Sequence, residues 1–132
     1  MRTTRRTVPG VLLILAIGLL NFHVPHYLLE PGRAVGTASA VLEVVLLANV
    51  LAAVVAAVGI ARGQAWGWRL GAAVAIFSVL LWLAQETIGL PGLPRQWGEP
   101  SRIVALLLEA AFLALARAAL GRAGRAQAAG TR

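Results

Sequence analysis

Two histidines and five glutamates carry nearly all the acid–base and metal-binding capacity of this 132-residue sequence, which contains no cysteine, aspartate or lysine. His23 and His26 stand at i and i+3, a spacing that can put both imidazoles on one helical face. Glu43, Glu86 and Glu109 each interrupt a long apolar run. Inside a bilayer a carboxylate costs at least about 2.5 kcal/mol, so each of the three needs a partner, a proton or a purpose.

Three readings follow from these residue types. Imidazole and carboxylate together form a nitrogen and oxygen donor set that suits a divalent transition metal such as Zn, Mn or Fe. Cu(I) is disfavoured, because Met1 is the one sulfur-bearing residue. Haem is disfavoured as well, since two histidines so close on one helix cannot hold opposite faces of one porphyrin. The second reading is a proton- or cation-coupled small transporter or accessory subunit, because carboxylates crowded away from water retain protons. The third is a polar cluster that only specifies helix packing, in a homo-oligomer or a larger membrane complex. Asn21, Glu30, Trp82, Gln85 and Glu99 lie nearby in sequence or on the same expected helix faces and would support any of the three. Enzyme signatures are missing: there is no G-x-S-x-G, no H-E-x-x-H, no phosphate-binding loop and no dinucleotide fingerprint.

The elements that must position these residues are set by the apolar excess. At 59% hydrophobic and 13% charged, with a mean hydropathy of +0.79, the chain is too apolar for an ordinary water-soluble domain. A bilayer core of about 30 Å needs roughly 20 apolar residues of helix. Four stretches meet or approach this length, predicting an all-α, polytopic membrane protein with a four-transmembrane-helix bundle as a single domain over 1–120. The expected helices run 8–29, 37–61, 66–90 and 101–120, with a basic, disordered tail over 121–132. The first must either pass through Pro25 or stop there, since proline removes a backbone donor. No small-x-small cleavage pattern follows the first run, so it reads as an uncleaved helix rather than a signal peptide.

The formal net charge of +7 is distributed by topology. Arg2, Arg5, Arg6, Arg62, Arg69, Arg117, Arg122, Arg125 and Arg132 fall on one side of the expected bundle, against Arg33, Arg95 and Arg102 on the other. The positive-inside rule then places both termini in the cytoplasm, at the plasma membrane. The partner is the lipid bilayer, and nucleic acid is excluded as the reason for the charge. On this frame Glu43, Glu86 and Glu109 lie about 9, 6 and 12 Å below the outer surface, and His23 about 8 Å below it. All five glutamates and both histidines thus gather in the outer half at one depth. Gly71, Ala75, Ser78, Trp82 and Glu86 share one face of helix 3. Ala48, Ala52 and Ala56 form a small-residue stripe on helix 2, and Trp66, Trp68 and Trp97 read as interfacial belt residues.

Glu30-Pro-Gly-Arg33 before helix 2 and Glu99-Pro-Ser-Arg102 before helix 4 echo one another, either as two similar helix caps or as a duplicated helical hairpin. The order His23-x-x-His26, a tryptophan-bearing third helix ending Glu86-Thr-Ile-Gly-Leu-Pro-Gly92, Trp97-Gly-Glu-Pro100 and a glutamate inside helix 4 resembles small four-helix membrane proteins common in actinobacterial genomes. The likeness covers roughly Leu19 to Leu113 and is most specific at Gly89-Leu-Pro-Gly92 followed by Glu99-Pro100. It implies one compact domain with an outward polar site and brings no activity with it.

Overall fold

Long runs of leucine, alanine and valine, broken by glycine and proline at intervals of a bilayer thickness, fold into four helices in the computed structural model of the chain. It describes residues 6–28, 37–90 and 100–130, with side chains at 6–21, 40–90, 100–122 and 125. The helices are α1 (Thr7–Leu28), α2 (Thr37–Ala61), α3 (Ala65–Thr87) and α4 (Pro100–Gly130). Three of them are long and apolar enough to cross a membrane, over Ala40–Ala61, Ala65–Thr87 and Pro100–Arg122. The described apolar part of α1 is shorter, Thr7–Asn21, although its backbone runs helically through Pro25 to Leu28. Proline is tolerated within such helices when neighbouring helices accommodate the freed backbone groups.

Glycine sets the helix ends around α3. Gly63 takes φ 71°, and the Gly63 and Gln64 amides donate to the Ile60 and Gly59 carbonyls at 2.9 Å each, closing α2 in a Schellman turn. Gly89 takes φ 84° and donates to the Ala84 carbonyl at 3.2 Å, so α3 stops at Thr87 rather than at residue 90. At the other end α4 continues past Leu120 to Gly130, where a disordered tail was expected. Alanine, arginine and glutamine in this stretch are good helix formers, which offsets the intervening glycines.

Helices adjacent in sequence pack side by side, α1 against α4 closes the ring, and α1 also touches α3 across it. Among the described residues α2 and α4 make no contact, so they occupy the long diagonal of the bundle. The core combines Ile14 and Ile17 of α1, Ala53, Ala56, Ala57 and Ile60 of α2, Trp68, Val74 and Ala75 of α3, and Phe112 and Ala116 of α4. Large aliphatic side chains point the opposite way: Leu12 is 62% exposed, Leu19 70%, Leu51 67% and Leu107 64%. An outer face as rich in large apolar side chains as the core is unlike that of a water-soluble bundle.

Two expected surfaces are rotated. Ala48 is exposed and Ala52 half-buried, and the buried small-residue stripe of α2 is Ala53, Ala56 and Ala57, on the face that also carries Leu42, Leu46 and Asn49. Trp68 is buried in the core rather than at an interface, its ring 5.9 Å from that of Phe112 at an interplanar angle of 23°. Gly10 makes this possible, because a β-carbon there would collide with the Trp68 ring. Trp66 is partly exposed, with its indole N–H donating to Gln64 Oε1 at 2.6 Å, as an interfacial residue would be. Trp97 lies outside the described residues.

Candidate functional site

The interior holds more polar groups than a packed apolar bundle requires. Asn49, Ser78, Gln85, Glu86 and Glu109 are all buried, at 7%, 5%, 3%, 2% and 6% exposure. Each sits on the core face that the helical period dictates. On α3 the buried positions are Gly67, Trp68, Gly71, Val74, Ala75, Ser78, Gln85 and Glu86, with Trp82 half-buried between the last of them. This bears out the expected face of helix 3. On α4 the buried series is Glu109, Phe112 and Ala116, and on α2 the half-buried Glu43 flanks Leu42 and Leu46.

The best-connected polar group is one that the sequence does not advertise. Ser78 Oγ accepts from Asn21 Nδ2 at 2.9 Å and Asn49 Nδ2 at 3.0 Å, and donates to the Val74 carbonyl at 3.0 Å. One hydroxyl thereby ties α1, α2 and α3 together in the middle of the bundle, with its bonding capacity used in full. Its sequence signal is weak: a lone serine in an apolar helix, on the same face as three small or apolar buried residues. Ser78→Ala removes the shared acceptor and strands two amide groups. The expected result is a loss of about 1 kcal/mol, set by the modest worth of hydrogen bonds within membranes, read by SDS titration of the detergent-solubilised protein. Asn21→Ala should cost little more once Ser78 is alanine, because both changes cut the same bond.

The three carboxylates stand at different distances from the ends of their own helices. Counted along its own helix from the end opposite the α2–α3 turn, Glu86 lies about 1.5 Å in, Glu43 about 9 Å and Glu109 about 13.5 Å. Part of this spread comes from the early end of α3, which leaves Glu86 in its last turn. Glu43 and Glu109 also sit on the two helices of the long diagonal. Among the described residues no three histidine or carboxylate side chains are grouped to hold a metal ion. The side chains of His23 and His26, as well as Glu30 and Glu99, lie outside the described residues, although both histidines fall within the α1 backbone helix.

The local surroundings of the carboxylates differ. Glu43 Oε1 is buried with no hydrogen-bond partner among the described residues, a costly state for a polar oxygen. Half-buried Arg102 lies seven residues before Glu109, two turns along the same face of α4, and is the cation that acts on it electrostatically. Compared with family models, curated proteins and solved structures, the chain matches none.

Proposed function

We propose that the chain is a four-helix integral membrane protein of the plasma membrane, with both termini cytoplasmic, whose buried glutamates take up protons or a small cation from the outer side. The observation that carries this reading is the burial of Glu86 and Glu109 at 2% and 6% exposure on neighbouring helices whose outward faces are apolar. A chelated metal needs its donors converged on one point, whereas stepwise proton acceptance tolerates donors staggered along an axis. The staggering therefore favours the proton or cation reading over a metal held by the three glutamates alone. The arginine distribution supports the orientation, with nine on the α2–α3 turn side against three on the other.

The test is infrared difference spectroscopy of the reconstituted protein after a pH step. A protonated-carboxyl band should appear in the wild type and shrink in Glu86→Gln and in Glu109→Gln. If both variants keep the wild-type band while their thermal stability falls, the glutamates only pack the bundle and the reading fails.

A further inference from the structure

Away from the carboxylates, at the α2–α3 turn, the bundle opens into a cleft of about 190 Å³ lined by Arg6, Thr7, Gly63, Ala65, Trp68, Ala119, Leu120 and Arg122. Its walls come from three elements. Arg6 and Thr7 bring the start of α1, Gly63 and Ala65 bring the turn and the start of α3, and Ala119, Leu120 and Arg122 come from α4. Two guanidinium-bearing residues thus line one concavity.

Nothing acidic answers them. The five glutamates stand at positions 30, 43, 86, 99 and 109, and no aspartate exists, so every lining residue is cationic, neutral polar or apolar. Arg6 Nη1 is buried and has no hydrogen-bond partner among the described residues. A buried guanidinium nitrogen without an acceptor is costly, and an anion in the cleft would satisfy it. The N-terminus of α3 adds to this field, since its N-cap Gln64 makes no side-chain cap. Gly63 has no heavy atom within 4 Å of where a β-carbon would stand, so its backbone is open to approach.

We propose that this cleft is a binding site for a phosphate group, carried either by an anionic lipid headgroup or by inorganic phosphate. Two arginines lining one cleft suit the oxygen fork of a phosphate, the N-terminus of α3 favours its charge, and the apolar side chains of Trp68, Ala119 and Leu120 suit the first carbons of a lipid backbone. Arg122 closes the membrane-crossing part of α4 and Thr7 opens α1, so the cleft stands at the level of headgroups. The lipid source rests on the membrane reading above, whereas the phosphate chemistry does not.

The test measures thermal unfolding of the full-length protein in two arms. In detergent, inorganic phosphate is titrated against chloride at matched ionic strength. In vesicles, phosphatidylcholine alone is compared with phosphatidylcholine containing phosphatidylglycerol. A rise in midpoint with inorganic phosphate identifies a free anion site, and a rise only with phosphatidylglycerol identifies a headgroup site. In either case Arg6→Gln and Arg122→Gln should weaken the response about tenfold or more, as expected when a charge-assisted hydrogen bond is lost. Exposed Arg117, on the same helix but outside the cleft, provides the control: Arg117→Gln should keep the wild-type response. Ala119→Phe fills the cleft while leaving both arginines and should abolish the response even where the arginine variants fold poorly. No rise in either arm, or an equal loss in Arg117→Gln, overturns the proposal. Neither result bears on the carboxyl band, so the phosphate site and the proton site can fail separately.

Discussion

Gly67→Val is expected to cost about 3 kcal/mol or more, one of the two largest single-site effects in the bundle. A β-carbon on Gly67 would stand 2.8 Å from Gly59 Cα, and one on Gly59 would stand 2.7 Å from Gly67 Cα. The collision is with backbone, so no rotamer change relieves it and α2 must separate from α3. The hairpin between them has only Arg62, Gly63 and Gln64 to absorb that movement. SDS titration in detergent reads the loss. Two other glycines calibrate it. Gly121→Ala meets nothing within 4 Å and should be neutral or stabilising by up to about 1 kcal/mol through helix propensity. Gly63→Ala has equal space but a φ of 71°, so it should cost about 1–2 kcal/mol from backbone strain alone. An order of Gly67→Val, then Gly63→Ala, then Gly121→Ala separates contact, strain and propensity. Equal effects at all three would show that α2 and α3 do not approach as described.

The second large effect is Phe112→Ala. The ring is fully buried, stacks on Trp68 and covers Gly71, where a β-carbon would lie 2.5 Å from Phe112 Cζ. In a soluble core such a truncation removes both transfer energy and packing, for about 3–5 kcal/mol. With the helices facing lipid, as proposed above, the transfer part is small, because lipid is as apolar as the core. The cavity and the lost ring contacts remain, and the expected cost is about 3 kcal/mol. Gly71→Ala alone should also destabilise by forcing the ring aside. Combined with Phe112→Leu, it should cost at least about 1 kcal/mol less than the sum of the two single changes. Strict additivity of the pair would mean that α3 and α4 do not meet at this point.

The residues explain which of these features could be read without coordinates. Helix number and most helix ends follow from apolar length and from Gly63 and Gly89, whose positive φ stops α2 and α3. The burial of Ser78, Glu86 and Glu109 follows from periodicity, since each lies at helical spacing from small or apolar neighbours on the same face. The rotation of α2 was harder. Alanine stands at 48, 52, 53, 56 and 57, so two stripes compete, and the bond from Asn49 to Ser78 decides between them. Trp68 was misplaced because tryptophan near a helix end usually marks an interface, and the gap at Gly10 that admits its ring comes from a helix 58 residues earlier. The separation of Glu43 from Glu109 depends on which diagonal of the ring closes. Helix packing determines that, and no single helix encodes it.

The apolar outer face also governs how the protein responds to temperature. Leucines such as Leu12, Leu51 and Leu107 face outward with the bundle assembled, and in a bilayer they would still face hydrocarbon if the helices came apart. Separation would expose little apolar surface to water, so the heat-capacity increment that curves the stability of soluble proteins should be small. Stability should then fall nearly linearly on warming, and cold should not weaken the fold.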